Sequence, residues 1–180
     1  MKENFAKLTS DLIFVLVAIS AAAFPLFFLP TTTEFFDFNK FTLLLVLTTI
    51  GLIAWGAKMI IEKKATFTKT PLDIPLIVFL AVIFISGLAS IDQFSSLYGS
   101  PTRIWPAFLP TATLIAFYFM AVSNLKKRKQ VTTILWILTG ATTIAAIIAT
   151  LSYFTLYLPF DFAAIRSFNT VGVINKLAIL

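Results

Sequence analysis

The chain has 180 residues, of which 59% are hydrophobic and 12% charged, with a formal net charge of +6. An ordinary soluble domain carries about a quarter charged residues, so this balance, with 20 phenylalanines, excludes an ordinary soluble core and points to a polytopic membrane protein. The absence of cysteine and histidine excludes a disulfide framework, a thiol nucleophile, the usual zinc site and a histidine base within these residues.

The first hydrophobic run covers residues 12–29 and follows Ser10 and Asp11, residue types that cap helices. A second hydrophobic run follows it, not a cleavage site and a soluble stretch, so it reads as a span and not as a signal peptide. Pro25 is expected to kink or end this helix. The second run covers residues 41–61, with Lys58 near its end, where the ammonium can snorkel to headgroups. The third, residues 74–91, opens with Asp73 as a capping carboxylate and Pro75 in the first turn. The fourth, residues 104–125, has Pro106 in its first turn and Pro110 where a bend is expected. The fifth covers residues 131–152; Tyr153, Phe154 and Tyr157 then form an aromatic belt, and Pro159 stops the helix. Small residues, among them Ala18, Ala21, Gly51, Gly56, Gly140, Ala141 and Ala145, predict close helix packing in lipid.

The last segment, residues 171–180, would rise about 15 Å as a helix, half of a hydrocarbon core. It is expected to begin a sixth span. The fold class is therefore an all-α transmembrane bundle, and residues 1–180 read as the amino-terminal portion of one larger transmembrane domain.

The loops set the expected orientation. Lys2 and Lys7 precede the first run, Lys63, Lys64 and Lys69 follow the second, and Lys126, Lys127, Arg128 and Lys129 follow the fourth. The alternate loops hold only Lys40, Arg103 and Arg166, with Glu34, Asp37, Asp92 and Asp161. Positive residues mark the cytoplasmic side, so the amino terminus is expected inside the cytoplasmic membrane, with residues 31–40, 92–103 and 156–170 outside. This segregation reads the basic charge as topology and not as a nucleic-acid interface.

No ionisable residue falls deep inside a run, so no ion pathway is legible. Chemistry is expected in two outer loops. In the first, Gly99 and Pro101 make a turn and Arg103 stands beside Trp105 at a helix start. This pair reads either as an interfacial anchor or as a guanidinium whose forked donors hold a phosphate-bearing substrate. The second runs from Arg166 through Asn169, Gly172 and Asn175 to Lys176. It reads either as a polar loop with ordinary capping or as an anion site aided by unpaired N–H groups at a helix start.

At these two loops the chain resembles the bacterial O-antigen ligase and O-antigen polymerase superfamily, membrane glycosyltransferases acting on lipid-linked glycans. Many members carry Arg-x-x-Gly-Thr-Phe-Gly-Asn-Pro-Asn-x-Leu-Ala after their fifth span. Arg166, Thr170, Gly172, Asn175, Leu177 and Ala178 fall on matching positions. Upstream, the segments Pro71-Leu72-Asp73, Ser86 to Asp92, and Gly99 followed by Arg103 are similar to the family's pieces in order and spacing. Asn169 replaces a usual glycine, Val173 and Ile174 replace an Asn-Pro pair, and Lys176 is an added cation.

The resemblance implies transfer of a glycan from a polyprenyl diphosphate to an acceptor at the outer face of the cytoplasmic membrane, by inverting transfer without a cofactor or metal. It implies phosphate contacts from Arg103, Arg166 and Asn175, and loop shaping by Gly99 and Gly172. It also implies a downstream external loop bearing a catalytic histidine. The competing class is a non-enzymatic polytopic membrane protein, a transporter subunit or an envelope anchor.

Overall fold

The computed structural model describes residues 2–30, 36–64, 67–100, 104–157, 159–160, 163–164 and 166–172, with side chains from Phe5 onward. Among them are six helices: α1 (Lys2–Leu26), α2 (Asp37–Glu62), α3 (Asp73–Leu88), α4 (Gln93–Tyr98), α5 (Phe108–Asn124) and α6 (Arg128–Tyr153). The segments Phe5–Leu26, Asp37–Glu62 and Arg128–Tyr153 are long and apolar enough to cross a membrane. The apolar helices α3 and α5 have 16 and 17 residues. They rise about 24–26 Å, short of a hydrocarbon core of about 30 Å.

The helix α1 packs against α2, α6 and α5; α2 also packs on α5, and α3 lies against α4 and α5. The core at the meeting of α1, α2 and α5 is formed by Ile13, Val17, Ala54, Trp55 and Met120. Gly51 lets α2 close on α5, since a Cβ there would lie 2.1 Å from the Met120 sulfur. Ala141 and Ala145, both buried, give α6 its close face. Gly56 and Gly140 meet nothing within 4 Å of a Cβ, so these two do not serve close packing among the described residues. Large apolar side chains stay exposed along α3 and α6, including Ile77, Val78, Ile85, Leu135, Trp136 and Ile147. In water such a surface is costly; against lipid tails it is matched.

Two sets of contacts order the helix ends. At one end the Lys58 ammonium donates to the Ser10 hydroxyl (2.8 Å) and the Asn124 side-chain carbonyl (3.3 Å), tying α2 to α1 and α5. Lys58 thus turns into the bundle and does not snorkel outward. At the other end Trp105 packs on Phe24 and Phe41, with ring centroids 5.7 and 6.5 Å away. Trp105 is therefore part of a three-element aromatic cluster, not an anchor pointing to headgroups.

Several element boundaries differ from the sequence expectation. α1 begins at Lys2, so Ser10 and Asp11 lie inside it and do not cap it. Thr9 and Ser10 instead return their hydroxyls to the carbonyls of Phe5 and Ala6. Asp73 is the first residue of α3, behind Leu72. Its carboxylate holds the incoming chain, accepting from the Thr70 N–H (2.9 Å) and hydroxyl. The Thr70 hydroxyl thereby spends its one proton on Asp73, so the Tyr118 hydroxyl, 2.8 Å away, is the donor to Thr70. α5 starts at Phe108 because Trp105 and Pro106 form a turn, and α3 stops at Leu88, ahead of residue 91. α6 ends at Tyr153 before Pro159 is reached: Thr155 takes a left-handed φ of 67°, and the Leu156 N–H closes on the Leu151 carbonyl (3.0 Å).

Candidate functional site

The site is built at the end where α1 stops and α2 starts. Helices leave unpaired carbonyls at their carboxy-terminal ends. At α1 the Thr170 hydroxyl donates to the Pro25 carbonyl (2.8 Å), and just past the helix end the Asn39 amide donates to the Leu29 carbonyl (3.3 Å). The segment around residues 168–172 is thereby laid over the end of α1. Phe168, Asn169, Thr170 and Val171 are all buried, and Phe168 meets Phe28 edge to face at 5.7 Å.

Asn169 shapes this segment. Its side-chain carbonyl accepts from the N–H groups of Val171 (3.0 Å) and Gly172 (2.7 Å). Its amide donates to the carbonyls of Ser167 (3.2 Å) and Gly172 (3.1 Å). Every hydrogen-bonding direction of a buried amide is used. The N–H groups of Val171 and Gly172 are consequently occupied by Asn169, which favours the polar loop with capping over the anion site built on unpaired N–H groups, the two alternatives open in the sequence. Gly172 has φ 118° with Phe36 3.3 Å from where a Cβ would lie, so a side chain there meets both strain and contact.

Lys40 completes the clasp. It sits in the first turn of α2, 3% exposed, and its ammonium donates to the carbonyls of Thr170 and Val171 at 3.0 Å each. The sequence reading counts Lys40 only as an outer-loop cation. The structure makes it the link between the start of α2 and a segment 130 residues away.

Arg166 lies at the rim of this clasp and is exposed. It borders a cleft of about 300 Å³ between the clasp and the last turns of α6, whose walls include Ala149, Thr150, Tyr153, Ser167 and Asn169. A guanidinium over such a cleft can present forked donors to an anionic oxygen pair while its flank stays in water. No family model matches this chain, and no curated protein or solved structure matches it significantly.

Of the residues singled out in the sequence, Arg166 and Gly172 stand on the clasp, while Arg103 and Asn175 lie outside the described residues. Gly99 closes α4 with φ 90° and faces the Ile104 backbone, which would lie 3.1 Å from a Cβ. The short helix α4 itself is absent from the sequence reading. Its signal is Asp92, whose carboxylate accepts from the Ser95 N–H (3.1 Å) as an amino-terminal cap. The Ser95 hydroxyl and N–H together hold the Asp92 carboxyl below its ordinary value. The sequence reading places Asn169 in the second loop as a possible anion contact, whereas its side chain builds the turn, and it passes over Lys40 as a site builder. An Asn three residues before a Gly is a recognisable turn former; nothing local marks Lys40.

Proposed function

We propose that this chain is the amino-terminal part of an O-antigen ligase- or polymerase-like glycosyltransferase. It would move a glycan from a polyprenyl diphosphate carrier to an acceptor at the outer face of the cytoplasmic membrane. In this reading the amino terminus is cytoplasmic and α1, α2 and α6 cross the bilayer, with α3 and α5 crossing where it thins to their length; the sixth span expected at residues 171–180 lies, from residue 173 on, outside the described residues. The clasp then faces outward.

One observation carries the reading: Arg166 stands exposed at the rim of a cleft, on a segment fixed by Asn169, Thr170 and Lys40. Transfer breaks the bond between the anomeric carbon and a diphosphate oxygen. The electron pair stays on that oxygen, and the acceptor oxygen forms the new bond as it gives up its proton to a base, the role that falls to the downstream histidine implied by the resemblance. A fixed guanidinium stabilises the charge that develops on the diphosphate. Arg103 and Asn175 are assigned to the same substrate by the motif order alone.

The test uses the complete gene product in proteoliposomes supplied with a polyprenyl-diphosphate-linked oligosaccharide and its acceptor. Arg166→Ala should cut transfer by about a hundredfold or more, with insertion unchanged. Arg166→Lys should recover only part, because an ammonium lacks the two-pronged contact. Transfer by the lysine variant at the wild-type rate removes Arg166 from the site.

A further inference from the structure

A second cleft lies away from Arg166. It has a volume of about 460 Å³ and is formed by the end of α3, the helix α4 and the turn before α5. That volume falls within the usual range for small-ligand sites. Four of the residues lining it are Ser86, Ser90, Ser95 and Ser96, and the facing wall includes Val82 and Pro106. None of its described lining residues is charged.

The hydroxyls are not equivalent. Ser96 donates to Ser90 at 2.8 Å, so the Ser90 proton is left to point elsewhere. Ser95 gives its N–H to Asp92 at 3.1 Å, and its hydroxyl oxygen has lone pairs to accept with. Ser86 makes no side-chain hydrogen bond among the described residues and can act either way. The cleft thus offers a donor, an acceptor and one group of both kinds, opposite an apolar wall.

We infer that this cleft binds a neutral sugar. Sugar hydroxyls each donate and accept, and the C–H face of the ring suits the apolar wall. An ion would find no counter-charge among the described lining residues, which is unfavourable. The inference rests on the cleft alone and stands whether or not Arg166 acts in transfer. The sugar can come from a glycolipid or from a free glycan.

The test places the whole chain in phosphatidylcholine nanodiscs with a photoreactive alkyl maltoside. Labelled peptides are then mapped by mass spectrometry. Labelling should concentrate between residues 82 and 107 and be displaced by octyl glucoside. An alkyl phosphocholine of the same chain length should not displace it. Displacement by free maltose as well indicates that the sugar alone suffices; failure of maltose indicates that a lipid-borne sugar is required. Ser90→Val should weaken labelling about fivefold, whereas Ser90→Thr, of the same shape but with the hydroxyl kept, should hold it. Equal displacement by the phosphocholine, or equal loss in the valine and threonine variants, overturns the inference.

Discussion

The Lys40 ammonium lies 3.0 Å from the Thr170 carbonyl oxygen, joining the first turn of α2 to a segment near the far end of the chain. The same ammonium reaches the Val171 carbonyl, while the Thr170 hydroxyl holds the Pro25 carbonyl. The position of Arg166 thus depends on a cation four residues into a helix that begins at Asp37.

Lys40→Met should therefore loosen the clasp without melting the bundle. It leaves two buried carbonyls short of a charged donor, a cost of about 2–4 kcal/mol. Hydrogen exchange should rise at Val171 and Gly172 while α1 and α2 stay protected. Unchanged exchange in that segment would show that Asn169 and Thr170 suffice to hold it.

Lys58 makes the complementary clasp at the opposite end, through Ser10 and Asn124. Lys58→Met and Asn124→Leu should each lower thermal stability, and the double variant should lose less than the sum. Polar contacts between membrane helices average well under 2 kcal/mol, so a coupling of about 0.5–1.5 kcal/mol is expected from a double-mutant cycle. A coupling of zero would return Lys58 to the role of a snorkelling cation.

The helical pattern was legible because apolar runs interrupted by lysine clusters follow directly from the cost of burying charge in lipid. Boundaries were less so. Thr9 and Ser10 are accommodated inside α1 because they return their hydroxyls to carbonyls one turn back, and the residue types alone do not tell this use from capping. The end expected for the fifth span at residue 152 falls within one residue of the end of α6, but Thr155, not Pro159, turns the chain there. At the site, Arg166 draws notice as an isolated cation in a polar loop. Lys40 does not, because its partners lie 130 and 131 residues downstream and no local pattern encodes that pairing. Asn169 was read as a departure from a family glycine, although its side chain organises the turn.

At α4 the stability should depend on pH in a set direction. The Ser95 hydroxyl, then its N–H, hold the Asp92 carboxyl below its ordinary value of 3.8. A depressed folded-state value adds stability that is present above the ordinary value and lost as pH falls through the depressed one. The carboxyl carbon shift of Asp92 should titrate below 3.8, and Ser95→Ala should move the midpoint upward. A midpoint unmoved by that substitution would show that the hydroxyl contributes nothing to the cap.

The orientation is open to a clean test because the chain has no cysteine. Single cysteines replace Lys64 and Lys127 at one end, and Gln93 and Ser167 at the other, all four exposed. In intact cells treated with a membrane-impermeant thiol reagent, Gln93→Cys and Ser167→Cys should react. Lys64→Cys and Lys127→Cys should react only after permeabilisation. The physical basis is the retention of lysine- and arginine-rich loops on the cytoplasmic side. Ser167 neighbours Arg166, so its labelling also reports the compartment in which the guanidinium works. Lipid-linked glycans are joined to acceptors outside in the proposed chemistry. Labelling of Lys64→Cys and Lys127→Cys in intact cells, with the other two silent, would put Arg166 in the cytoplasm and end the glycosyltransferase reading, while leaving the helical bundle and both clasps as they stand.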